Sequence, residues 1–165
     1  MYNSVLIQIF IVFINFFLSL PFTLTGLTRY TNNDIKAYSQ PPGYVFGIMW
    51  SIIYMLFSII NYKIMYSHTL TTPLKKILIN QSITEAVIQT LWLLSTAKIA
   101  TQRYFIQYLL GLIIMIILVY YCFYIRGITL NKIVPKLYMY YLPYCIWIVF
   151  ALILNVQIII KYLIK

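Results

Sequence analysis

Acidic residues are almost missing from this chain: Asp34 and Glu85 stand against 12 lysines and arginines in 165 residues. Charge of either sign is scarce at 8%, where a soluble domain carries about a quarter. So few charged groups leave a globule of this size poorly wetted, and the bilayer becomes the natural solvent for a single membrane domain. Histidine occurs once, at His68, and cysteine twice, at Cys122 and Cys145. That inventory excludes a disulfide framework and any Cys/His metal spacing. Both thiols fall inside apolar runs and read as buried packing. There is no nucleophile–base pair and no nucleotide-binding loop, so no catalytic residue, metal site or required cofactor is predicted. A net charge of +10 would suggest nucleic acid in a soluble protein. Here the basic residues lie between apolar runs or at the C-terminus, as interfacial anchors to lipid and not as a clustered nucleic-acid face.

What the chain does contain is apolar sequence, 63% of it. Five stretches reach the roughly 20 residues that a helix needs to span hydrocarbon. They run near 5–24, 44–66, 77–97, 104–125 and 138–160, and predict an all-α, polytopic five-helix bundle. The first lacks the basic start and small-residue cleavage site of a secretory signal. It carries Ser4, Gln8, Asn15, Ser19 and Phe22 along one face, as a helix packed on protein would. The positive-inside rule ends in a tie. Lys63, Lys75, Lys76, Arg126, Lys132 and Lys136 fall on one side, and Arg29, Lys36, Lys98, Arg103, Lys161 and Lys165 on the other. In this reading Arg126 opens a loop that runs to Lys136.

Three of the segments are striped. Phe46, Trp50, Tyr54, Phe57 and Asn61 share one helical face in the second. Gln81, Glu85, Gln89, Trp92 and Thr96 share another in the third, and Tyr144, Trp147, Ala151 and Asn155 in the fifth. Indoles, amides and an acid are costly against lipid, so these faces turn inward. Each carries a tryptophan. Together they would build an aromatic-walled pocket with a few orienting polar groups, suited to a large flat apolar ligand. Helix packing alone uses the same stripes, and that alternative stands beside the pocket. Glu85, the one acid inside a span, either pairs with a base or sits neutral against a neighbouring helix.

The stretch Pro41-Pro42-Gly43-Tyr44-Val45-Phe46-Gly47-Ile48-Met49-Trp50 opens the second segment. It resembles the signature K-P-x-W-x-P-P-x-W-x-F-G-P-x-W-x-x-L-Y of the TspO/MBR family. The matches are Lys36, Pro41, Pro42, Phe46, Gly47, Trp50 and Tyr54. Tyr44 replaces a Trp, and Ala37, Ser39 and Ile48 replace Pro, Trp and Pro. The fifth segment is similar to the family's P-Y-x-x-W-x-x-F-A-x-x-L-N at Pro143, Tyr144, Trp147, Phe150, Ala151, Leu154 and Asn155. In the third, Gln89 and Trp92 keep the spacing of a family Asn and Trp.

The resemblance implies a pocket that opens toward the first loop. Trp50, Tyr54, Gln89, Trp92, Tyr144, Trp147, Phe150 and Asn155 would line it by this resemblance, and the striped faces and the corner after the double proline add Tyr44, Phe46 and Glu85 as ligand-binding residues. Lys36, Pro41 and Pro42 would form its lid. It also implies a tetrapyrrole ligand such as protoporphyrin IX or haem, or a sterol, which would be bound or transported, and a homodimer. The membrane would be a bacterial inner membrane, the mitochondrial outer membrane or that of another organelle. Light-dependent porphyrin breakdown, with Trp50 or Trp147 as electron donor, and a ligand-free interaction subunit are the alternatives.

Overall fold

A computed structural model describes residues 5–24, 37–96 and 104–164 of the chain. The helices are α1 (Val5–Val12), α2 (Ile14–Leu24), α3 (Gly43–Met65), α4 (Thr72–Thr96), α5 (Tyr104–Tyr120), a π-helical turn (Tyr121–Gly127), α6 (Ile128–Ile133) and α7 (Pro135–Ile164). No strand occurs among the described residues. Among the described residues, four helical stretches are long and apolar enough to cross a membrane: Gly43–Met65, Thr72–Ser95, Phe105–Ile133 and Pro135–Ile164. The chain is thus an all-α, multi-pass membrane protein.

The five-span expectation needs adjusting at its first member. Residues 5–24 are helical but fall into two pieces that meet at Phe13, and neither has the length of a span. Backbone bonds still bridge the junction, from Phe13 N to the Ile9 carbonyl (3.1 Å) and from Phe17 N to the Phe13 carbonyl (3.0 Å). Beside it, the buried Asn61 amide of α3 donates to the Ile11 carbonyl at 3.1 Å. A side chain inserted into the carbonyl ladder is an ordinary cause of a helix break.

The expected loop from Arg126 to Lys136 is also corrected. The fourth span continues through the π-helical turn and α6, and only Val134 separates it from α7. The third span begins at Thr72, before Ile77, and the last reaches Ile164, beyond Ile160.

Packing follows the stripes. α5 lies between α4 and α7, α3 packs on α7 and α4, and α1 and α2 rest on α3 and α4. The core is built from Ile53, Phe57, Ile60 and Ile64 of α3, Met115 and Leu118 of α5, and Tyr141, Tyr144, Cys145 and Ile148 of α7. Ile48, Ile52, Leu110, Ile113, Ile117 and Ile146 point outward. An apolar outside around a core that holds the amides and charges is the distribution a bilayer demands.

Candidate functional site

The inner faces of α3, α4 and α7 meet in a column of aromatic rings. Trp50 is its pivot. Its ring centroid lies 5.6 Å from Tyr54, 6.1 Å from Trp92, and 6.3 Å from both Tyr144 and Trp147. Phe46 meets Trp147 edge-on at 5.6 Å, and Phe150 lies tilted 5.4 Å from Trp147. Deeper in the bundle, Phe57 stands edge-on to Tyr144 at 4.7 Å and to Tyr141 at 5.9 Å. The contacts of Trp50 with Trp92, Tyr144 and Trp147 are tilted or edge-on, a favourable geometry for ring quadrupoles that leaves the faces unstacked. The Trp147 indole N–H is buried with no hydrogen-bond partner among the described residues.

Polar groups border the column on two sides. On one, Asn15 Nδ2 donates to Gln89 Oε1 (3.3 Å), and Gln89 Nε2 donates to the Tyr54 hydroxyl (2.8 Å). On the other, Ser82 donates to Asn61 Oδ1 at 2.7 Å. Asn155 turns back on its own helix and donates to the Ala151 carbonyl at 2.7 Å.

Below the rings lies a buried ion pair. Arg126 Nη1 donates to Glu85 Oε2, the Tyr141 hydroxyl donates to Glu85 Oε1, and the Cys122 thiol lies 2.9 Å from that same oxygen. Both charged side chains are fully buried. The guanidinium sits 5.1 Å from the ring centroids of Phe57 and Tyr141. Its Nε and Nη2 find no hydrogen-bond partner among the described residues, so the rings supply the remaining cation stabilisation.

Arg126 corrects its expected place as an interfacial anchor, and it decides the alternatives left open for Glu85 in favour of pairing with a base. Sequence reasoning missed Arg126, Cys122 and Tyr141 as members of the polar floor. The signal available was the need of a lone intramembrane acid for a base. Arg126, which directly ends the apolar run of the fourth segment, was the candidate.

At the other end of the column the chain enters α3 through Pro42, whose φ of −54° and ψ of 146° are extended. Ala37 is buried in a small cluster with Leu154 and Ile158 of α7, against which Phe46, Tyr108 and Phe150 also pack. The Ser39 backbone N–H and hydroxyl both donate to Gln157 Oε1 at 3.0 Å. This strap fastens residues 37–42 across α7.

Of the expected ligand residues, Phe46, Trp50, Tyr54, Trp92, Tyr144, Trp147 and Phe150 lie in the aromatic column. Gln89 joins it through Tyr54, and Glu85 lies in the floor beneath it. Tyr44 is 70% exposed and stands apart from these ring contacts. Lys36 lies outside the described residues.

A family model for TspO/MBR proteins matches residues 7–161. The chain belongs to the TspO/MBR family. No protein of curated function matched it with significant similarity. Family membership and the apolar spans together make this a membrane protein with a buried aromatic cluster, an arrangement consistent with ligand binding. The departures from the TspO/MBR signature also find their places. Ala37 and Ser39 are the strap contacts on α7, and Ile48 is 56% exposed on the outer face of α3, away from the rings.

Proposed function

We propose that this TspO/MBR protein binds, and passes across or along the membrane, a flat lipophilic ligand of the tetrapyrrole class, protoporphyrin IX or haem. The ligand would lie among Trp50, Trp92, Tyr144 and Trp147, with Phe46 and Phe150 at its edge. The observation that carries the reading is the unstacked meeting of three large rings, Trp92, Tyr144 and Trp147, with Trp50, and a buried indole N–H left over at Trp147. A planar macrocycle that parts Trp50 from its neighbours replaces tilted contacts with broad face-to-face ones. The strap at Ala37 and Ser39 closes the entrance, and its tie to Gln157 is the contact to be released and remade. Apolar walls with few polar groups suit a sterol as well, so cholesterol belongs in the same titration as a competitor.

The test is titration of protoporphyrin IX into detergent-solubilised protein, followed by tryptophan fluorescence. Saturable quenching is expected. Trp50→Ala and Trp147→Ala should each weaken binding about tenfold or more, since ring contacts of this kind are worth about 0.5–1.5 kcal/mol beyond the area they bury. Quenching that never saturates, or that is the same in both variants, refutes the assignment.

A further inference from the structure

A second site lies on the opposite face of α3 from the aromatic column. A groove of about 520 Å³ runs between α1 and α3, lined by Ile9, Val12 and Phe13 on one side and by Met55, Ile59 and Tyr62 on the other. Its size falls within the roughly 300–1,000 Å³ of ordinary ligand sites. Ser58, the one small side chain on the α3 wall, leaves the space open, and its hydroxyl is already spent on the Tyr54 carbonyl at 2.9 Å. The wall is therefore apolar in effect as well as in composition.

Two polar ties hold α1 and α3 together around this space. Asn61 bonds the Ile11 carbonyl, and the Tyr66 hydroxyl donates to Gln8 Oε1 at 2.6 Å. Among the described residues, Lys63 is the only charged one in the lining. It lies in the last turn of α3, its ammonium 4.9 Å from the Tyr140 ring centroid, with Tyr62 and Tyr66 beside it. Helix ends that gather tyrosine and lysine mark the membrane–water interface.

We propose that this groove is a binding site for one acyl chain of an anionic phospholipid, with its phosphate at Lys63. The apolar trough asks for hydrocarbon, and the cation at its interfacial end asks for a negative head. The same end of the bundle carries Lys75 and Lys76 at the start of α4, Lys132 at the end of α6 and Lys136 at the start of α7. Of the two acids in the chain, Glu85 is committed to Arg126, and Asp34 lies outside the described residues. With no described acid left to offset it, Lys63 favours an anionic lipid over a zwitterionic one in this groove. The site is separate from the aromatic column and stands or falls without it.

Native mass spectrometry of the full chain with phosphatidylglycerol and with phosphatidylcholine of the same acyl chains tests this. One lysine near the surface predicts about a fivefold preference for phosphatidylglycerol. Lys63→Gln, at an exposed position, should abolish that preference, whereas Lys132→Gln, outside the groove, should keep it. Met55→Trp, which fills the trough from an exposed position, should reduce the binding of both lipids. Equal binding of the two lipids, or a preference that survives Lys63→Gln, overturns the proposal. So does a Met55→Trp variant that blocks cholesterol or self-association while phosphatidylglycerol binding stays intact.

Discussion

Arg126 and Trp147 show how single side chains set the character of this interior. Arg126 and Glu85 are each fully buried, and each is tolerable only because of the other. Removing one partner of such a pair costs about 3–5 kcal/mol, because a charge is left stranded, whereas removing both can be nearly neutral. Arg126→Met and Glu85→Gln should therefore each lower the thermal midpoint in detergent sharply, and the double variant should recover much of the loss. Trp147 carries the opposite imbalance, a buried N–H with no partner among the described residues. Trp147→Phe deletes that donor, and an unsatisfied buried group costs about 1–3 kcal/mol. The ligand-free protein should keep or raise its midpoint while porphyrin quenching weakens. That split separates a residue held for binding from one held for packing.

At the scale of elements, the striped faces of α3, α4 and α7 were legible because each combined costly polar groups with tryptophan at helical spacing. Phe57, Asn61, Gln89, Trp92, Tyr144 and Asn155 are all buried. Two features were not legible. Nothing in the sequence around Phe13 announces a break, and the group bonded beside it, the Asn61 amide, comes from another helix. The π-helical turn has no compositional mark either, and Arg126-Gly127 followed by lysines reads as the start of a loop. The structure explains the glycine: a Cβ at Gly127 would stand 2.5 Å from the Cys122 carbonyl oxygen, five residues back. Gly127→Ala should thus open the turn, pull Arg126 off Glu85 and destabilise by about 1–3 kcal/mol, as overpacking does. Thermal melts of Gly127→Ala in the wild-type and Glu85→Gln backgrounds check this, since the two effects should not add.

The strap is the other element with a measurable role. Gln157→Ala removes the acceptor of both Ser39 bonds. Faster release of protoporphyrin IX in stopped-flow, with little change in the thermal midpoint, is the expected outcome. The family signature located this strap, but Ala37 and Ser39 departed from it, and only the cluster with Leu154 and Ile158 showed what those residues do.

For the molecule as a whole, alternating spans place the α3–α4 connection and the α6–α7 junction at one membrane face and the strap at the other. Counting basic residues could not orient the bundle, and burial of Arg126 removes one of the counted charges. Cys122 and Cys145 are buried, which provides a quiet background for labelling. Ser67→Cys and Lys132→Cys should react with an impermeant maleimide from the same side of sealed vesicles, and Tyr38→Cys from the other. Labelling of Ser67→Cys and Tyr38→Cys from one side would contradict this arrangement.

The π-helical turn has one more consequence. Compared with an α-helix, it holds a spare residue within Tyr121–Gly127. A single-residue deletion elsewhere in the Phe105–Ile133 span turns everything beyond it by about 100° and swings one set of side chains from protein to lipid. The same deletion at exposed Phe123 or Tyr124 lets the turn relax to α-helix, with both flanking halves kept in register. The fourth span therefore has one place where its length can change without a change of facing, and that place lies directly beside its only buried charge.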